Sequence, residues 1–401
     1  MFRRRINMSS WPSPPPYSLV GKHGLSPVTN HDDRARFNFL AQLNTHLATN
    51  VVPANARAYE LRVKPEFEKE HGRAPTDRHE VRRAMLKNSL FQTWSALRRS
   101  SMELRQQNGR EVVLRQIADL NQRAAALNAG SPKLKLDPNF VVPPYIAKVD
   151  FHCMPGGYID ELAPDDVSAA ANYDVGIFAT TAGGLGRLND GAGHALAGWL
   201  KKNAPELKPK RILDLGCGMG HSLLPVAQAF PDAEVIAIDV AAPLLRFAHA
   251  RAKSLDVNNI TFIQANAEQV PEPDGSFDLV FTTMFLHETS NTAIKRIINE
   301  THRLLRPGGL CLHLEQPQFE GLPPFEQFMR DWDALYNNEP FWTRMHEMDL
   351  EAMMEAAGFQ REKMFVSGAQ AVVDETIFGK QKEDVEDYGR KASWHVFGVR
   401  K

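Results

Sequence analysis

Residues 211–222 read RILDLGCGMGHS, and this stretch decides the fold. An apolar run ends at Asp214 and Leu215, glycines follow at 216, 218 and 220, and a helical pattern starts near His221. The order is that of a buried strand, a tight turn and a helix. Glycine lets such a turn take unusual backbone angles and lets a ligand approach the main chain closely. A glycine-rich turn alone would also suit a dinucleotide. The acidic residue on the strand, giving D-x-G-x-G-x-G, changes the chemistry. A carboxylate at Asp214 attracts the amino group of a cationic amino-acid ligand, whereas a pyrophosphate would be repelled.

Downstream, strands are predicted at EVIAID (234–239), ITFIQ (260–264), FDLVFTT (277–283) and GLCLHLE (309–315). Between them HSLLPVAQAF, AAPLLRFAHARAKSL and NTAIKRIINETHRLL have helical character. Apolar strands alternating with amphipathic helices predict a parallel sheet covered on both faces, with right-handed crossovers. Two more strands are predicted at 361–367 and 393–399, with a charged loop or short helical excursion at 371–391. Asp239 ends the second strand with Val240 beside it, and its carboxylate can take both hydroxyls of a ribose. Asn266, Ala267 and Glu268 follow the third strand and suit the edge of an adenine. TTMFLHE, after the fourth strand, offers apolar walls. Successive strand ends thus converge on one crevice, where open sheets bind ligands.

From about 205 to 317 these features resemble the class I S-adenosylmethionine-dependent methyltransferases, in particular the branch containing ubiquinone/menaquinone-biosynthesis methyltransferases. RILDLGCGMG, the acidic end of the second strand in VIAIDVAAPLL, and LLRPGGLCLHLEQP carry the resemblance, and FDLVFTTMFLHE resembles the family's fourth block. The resemblance implies an α/β fold, a Rossmann-like seven-stranded sheet with its last strand antiparallel, and S-adenosyl-L-methionine as cofactor. It implies that Asp214 lies by the methionine moiety, that Gly216, Gly218 and Gly220 form the turn beside the cofactor, and that Asp239 holds the ribose. Asn266 and Ala267 match the adenine-contacting pair, where the family often has Asp-Ala. Asn266 keeps an acceptor and a donor but removes the charge. Glu268 completes the expected cofactor contacts.

A sulfonium already activates its methyl group, so the chain must hold an acceptor in line and, where needed, remove a proton. His287 and Glu288 follow the fourth strand and are the first catalytic candidates, with His346 of an aromatic-rich insertion as the third. Histidine suits this work near neutral pH. His152 is a further candidate base, and His313, inside a strand, reads as a packed core residue. His152, Cys153, His287, Glu288, His313 and His346 show no tight ligand spacing, so no metal is expected. The insertion at 318–348 reads as a lid whose aromatic residues line an apolar pocket. The expected reaction is methyl transfer to a small-molecule acceptor, with O-methylation of an aromatic or apolar metabolite as one form and N- or C-transfer open. Alternatives are methylation of protein or RNA, and a non-catalytic scaffold that binds the same cofactor.

At 401 residues the chain exceeds one typical domain. Residues 1–30, rich in Pro, Ser and Gly, read as a flexible arm, 31–150 as a mostly helical accessory domain and linker, and 151–401 as the methyltransferase domain. The segment 79–106 places Val81, Met85, Leu90, Trp94 and Leu97 on one helical face, with Asp77 as its cap. EVVLRQIADLNQRAAAL (111–127) is a second helical run, and residues 130–145, with four prolines, read as a linker. The arginine-rich face of the helices is either solvated or a homodimer surface. A formal net charge of -1 carries no basic excess, so nucleic acid is not favoured as a partner. Three dispersed cysteines and the absence of an 18-residue apolar run point to a reducing, cytoplasmic setting without a membrane span.

Overall fold

A computed structural model describes residues 14–372 and 393–401. Its centre is one sheet of eight strands: β1 (Leu134–Lys135), β2 (Arg211–Leu215), β3 (Glu234–Asp239), β4 (Ile260–Gln264), β5 (Phe277–Thr283), β6 (Leu305–Leu314), β7 (Met364–Gln370) and β8 (Ser393–Arg400). The strand order is β1-β4-β3-β2-β5-β6-β8-β7. The pairs from β1 to β6 are parallel, and β8 runs antiparallel to both β6 and β7. The sheet has eight strands, not seven, because Leu134 and Lys135 of the expected linker add an edge by pairing with Phe262 and Ile263. β6 begins at Leu305, earlier than expected. Leu305 pairs with Phe277 before the register shifts around the Arg306–Gly309 turn, and pairing resumes at Leu310 with Leu279.

The period of two along each strand builds two cores. Ile212, Val235 and Leu279 face one layer of helices with Leu223 and Val226. Leu213, Ile236 and Val280 face the other with Ile294 and Ile297. The chain leaves β2 toward β3 and later returns to its other side as β5. The carboxyl ends of β2 and β5 therefore flank the switch point where an open sheet presents its crevice.

The N-terminal helices cover that end of the sheet. Phe37, Val112, Leu120 and Phe178 share one apolar cluster with Leu244 and Phe247 of the helix Ala242–Ser254, so packing runs across the boundary expected near 150. Residues 14–30, read as part of a flexible arm, are anchored instead. Tyr17 and Leu25 are buried, Tyr17 stacks on Phe37 at 4.7 Å, and Gly21 N donates to the Arg187 carbonyl. Polar contacts add to these anchors: His23 Nε2 lies 3.0 Å from Asp174 Oδ2, and Gly24 N donates to Ser254 Oγ. Residues 1–13 and most of the charged segment 371–391 lie outside the described residues.

Two helical expectations need correction. The run 79–106 is two helices, Arg78–Met85 and Ser89–Leu114, and Leu97 is exposed. Asp77 caps the first as expected, but Asn88 caps the second by accepting from Leu90 N and Phe91 N. A side chain that competes for backbone donors starts a new helix there. The run 111–127 is also divided, because Gln116 leaves helical geometry before Ile117–Asn128 and grips both backbone groups of Val28 with its amide.

The expected insertion forms three short helices, Pro324–Arg330, Trp332–Tyr336 and Trp342–Glu347. Phe328 and Trp332 pack with Val81, Phe91 and Trp94 of the N-terminal helices. Arg78 and Arg82 both pair with Asp331. Among the described residues no helix is long and apolar enough to cross a membrane.

Candidate functional site

Asp214 ends β2 beneath the glycine turn. It is 2% exposed, and its Oδ1 has no hydrogen-bond partner. Burial, and then the nearby Asp239 carboxylate, push its carboxyl well above the usual range. An acid in that state is a receptacle for a cation, which would let it ionise. Gly216 has φ +77°, and a Cβ there would fall 2.2 Å from the Phe285 ring. The glycine therefore lets the turn cross under the loop after β5.

Asp239 ends the neighbouring strand. Gly218 N donates to its Oδ2 and Ala241 N to its Oδ1, each at 2.9 Å. Burial still pushes the carboxyl up to about 6, against the pull of those backbone donors. The turn and the second strand end are thus one hydrogen-bonded unit with acid groups facing a cavity.

That cavity has a volume of about 430 Å³. Of the residues singled out for the cofactor, Asp214, Gly216, Gly218 and Asp239 line it, as do Val240, Asn266 and Ala267. The catalytic candidates His287, Glu288 and His346 line the same cavity. Gly220 and Glu268 do not. Gly220 turns its carbonyl to Arg251, and the Glu268 carboxylate accepts from Tyr145 and pairs with Arg296. Glu268 also holds its backbone N–H against Asn266 Oδ1, so the two residues form a local cap.

His287 is buried, with Nδ1 2.6 Å from Glu315 Oε1 and its ring edge-on to Trp342. Burial alone would push this imidazole down, but Glu315 outweighs it and holds the group above its usual value. Glu315 would itself be pushed up by burial, and His287 instead draws it down. The two shifts agree, since each partner favours the charged form of the other. His346 has the opposite character. Burial pushes it down to about 4, its ring stacks on Phe319, and its Nδ1 lies against the Pro317 carbonyl. That contact makes Nδ1 the donor and leaves Nε2, which has no partner, as an acceptor beside the cavity. His313 is a core residue as expected, buried between Thr282 and Cys311.

Glu288 accepts from the Tyr158 hydroxyl at 2.7 Å and lies 3.5 Å from His152 Nε2. The other His152 nitrogen is 2.7 Å from Glu339 Oε1. Burial would lower His152, but Glu339, Tyr173 and Glu288 together hold it well above its usual value. Potential ligand atoms of His152, Glu288 and Glu339 lie within 4.8 Å of one another. The fold thus assembles a group with the composition of a cation site from three distant segments, although the sequence offers no ligand spacing.

Several cavity residues escaped the sequence reading. Trp94, Arg98, Met102 and Arg105 line the cavity from the long helix Ser89–Leu114, and Asn337 lines it from the insertion. Their spacing of four, four and three marks one helical face, but only the fold shows that this face meets the crevice. Buried polar atoms without partners concentrate here: Trp94 Nε1, Arg105 Nε and NH2, Asp214 Oδ1, Thr283 Oγ1, Asn337 Oδ1 and His346 Nε2. Folded proteins rarely leave such atoms unsatisfied.

Residues 212–309 match the family described as "Methyltransferase domain". An uncharacterized methyltransferase of Synechocystis sp. is 32% identical over 169 residues, covering 41% of this chain and 74% of the relative. A demethylmenaquinone methyltransferase of Thermus thermophilus is 36% identical over 114 residues, or 28% of this chain and 50% of the relative. A malonyl-[acyl-carrier protein] O-methyltransferase of Methylococcus capsulatus is 34% identical over 142 residues, or 35% of this chain and 46% of the relative. The chain thus spans about half the length of the last two.

Proposed function

We propose, for a chain that belongs to the S-adenosylmethionine-dependent methyltransferases, that the methyl acceptor is a small molecule held in the cavity beside the cofactor. One observation carries this reading: the acid groups at the ends of β2 and β3 and the histidines after β5 and in the insertion line the same cavity of about 430 Å³. That size lies within the range of small-molecule sites. The Trp94, Tyr158, Tyr173 and Trp342 walls favour an aromatic or otherwise apolar acceptor.

S-adenosylmethionine, when bound, supplies an electrophilic methyl group on a sulfonium. In this reading Asp214 receives the cofactor's ammonium, which matches the raised, orphaned state of its carboxyl. Asp239 takes the ribose hydroxyls while the Gly218 and Ala241 amides keep it oriented. Asn266 and Ala267 border the adenine.

The remaining residues handle the acceptor. His287 takes the proton from an acceptor hydroxyl, and Glu315 behind it makes the imidazole a stronger base and stabilises the imidazolium that forms. Glu288, tied to Tyr158, orients the acceptor from the next position along the loop. His346 presents Nε2 as a hydrogen-bond acceptor and remains neutral near pH 7. Demethylmenaquinone methyltransferases and a malonyl-[acyl-carrier protein] O-methyltransferase are among the relatives. Of the two names, the second specifies transfer to oxygen.

The test is incubation of the purified protein with methyl-labelled S-adenosylmethionine and a metabolite extract, followed by mass analysis. Label in a low-mass product supports the reading. Label confined to protein or RNA overturns it.

A further inference from the structure

We propose that Arg105 is the receptor for a carboxylate carried by the methyl acceptor. The inference rests on the reading of this cavity as the acceptor chamber.

Arg105 is 2% exposed and lines the cavity from the helix Ser89–Leu114. Its NH1 makes one long contact, 3.5 Å to Thr180 Oγ1, while Nε and NH2 have no hydrogen-bond partner. None of the ion pairs among the described residues includes it. The other fully buried arginine among the described residues, Arg251, behaves differently. Its guanidinium donates to the Gly220 and Leu188 carbonyls, so it braces the chain. Arg105 has no such bracing, and what it faces is the cavity.

A guanidinium does not neutralise itself by losing a proton. Burying one without a counter-charge is strongly unfavourable. A bound carboxylate answers that cost, because the planar fork can give it two parallel, charge-assisted hydrogen bonds.

The surroundings hold the group ready. The Arg105 Cζ sits 4.8 Å from the Tyr173 ring centroid, a cation–π contact. Gly176 makes room on the facing helix, since a Cβ there would lie 3.2 Å from both Arg105 Cγ and Nε. Tyr173 then leads to the acceptor chemistry: its hydroxyl is 3.5 Å from His152 Nε2, which is 3.5 Å from Glu288 Oε1, next to His287. An acceptor gripped at one end by Arg105 can therefore extend past Tyr173 to the loop that carries His287 and Glu288.

The cofactor also bears a carboxylate, on its amino-acid end, so the test must separate the two sources. The wild-type protein is first titrated with S-adenosylhomocysteine. Benzoate and its neutral counterpart benzamide are then titrated into the saturated complex by calorimetry. The same series is run on R105M, which keeps the bulk of the chain and removes the charge. The expected result is a wild-type preference for benzoate of at least about tenfold, as a charge-assisted bond provides. That preference is lost in R105M, with S-adenosylhomocysteine affinity unchanged. Equal binding of the two probes to the wild type overturns the inference, and that comparison does not depend on the variant folding. A preference that survives R105M overturns it too. Weakening of S-adenosylhomocysteine by R105M assigns the guanidinium to the cofactor's carboxylate and likewise overturns it. Tight S-adenosylhomocysteine binding without an anion preference would leave the cofactor site standing and sink only this inference.

Discussion

His287 Nδ1 lies 2.6 Å from Glu315 Oε1, and the contact is closed to solvent on both sides. The carboxylate also accepts from Leu286 N and Gln316 N, so it is fixed before it orients the ring. Such a pair holds the proton on His287 to a higher pH than a free imidazole would. If His287 acts as base, turnover rises with pH through that elevated value. Glu315→Gln removes the charge that supports the imidazolium. The acidic limb of the pH–rate profile should then move to lower pH, and the maximal rate should fall. His287→Gln should cost about 10²-fold or more in kcat while leaving S-adenosylhomocysteine binding within error. An unchanged profile in E315Q would remove His287 from the role of base.

Asp239 makes a prediction of opposite concern, about stability. Its carboxyl is pushed up to about 6 by burial, from an ordinary value near 3.8. A raised folded value means a contribution that is fully present below the unfolded value and is lost as the pH rises through about 6. Asp239→Asn has no such dependence. In the absence of cofactor, the Tm difference between D239N and wild type should shift in favour of the variant between pH 4 and pH 7, by about 3 °C. The same variant should bind S-adenosylhomocysteine at least about tenfold more weakly, from the loss of charge-assisted bonds to the ribose. Thermal melts across pH and calorimetry at pH 7.5 check the two halves separately.

The insertion is tied to the N-terminal helices through Asp331, which is 4% exposed and meets Arg78 and Arg82. Thr343 donates its hydroxyl to the same carboxylate. Asp331→Ala takes this partner from Arg82 and leaves Arg78 with Glu347 alone. Truncation of one partner in a buried ion network costs about 3–5 kcal/mol. Urea denaturation should show a loss on that scale, and acceptor KM should rise because the insertion carries Trp342 and His346. A loss below about 1 kcal/mol would mean that the network is as weak as a surface pair.

Leu25 tests the anchoring of the N-terminal segment. It is fully buried. Leu25→Ala should cost about 2–5 kcal/mol, as removal of a core leucine does. A flexible arm would lose nothing measurable in the same denaturation experiment.

Both ring nitrogens of His152 face carboxylates, Glu339 on one side and Glu288 on the other. The imidazole thus already stands between the two carboxyl groups, the place a divalent cation would take. Turnover should therefore survive dialysis against a chelator. A loss restored by added Mn²⁺ or Mg²⁺ would show that the cluster works as a metal centre, with His152 giving up its proton to bind.

The sequence alone determined the central strands and the placement of Asp214 and Asp239 at their ends. The physical reason is that these features are local: a period of two in the strands, a period near 3.6 in the helices, and glycines where the backbone must turn tightly. Each can be read within a window of about 18 residues. Tertiary structure decided the rest. It set Glu315 behind His287, Glu339 against His152, and Arg105 over Tyr173. It also drew the two-residue strand at Leu134 into the sheet and seated Leu25 in a core. These contacts join segments whose separation along the chain carries no periodic signal, and only the mutual packing of helices and sheet brings them within reach. A buried charge such as Arg105 looks like any other arginine of a solvated helix face until the surface it faces is known.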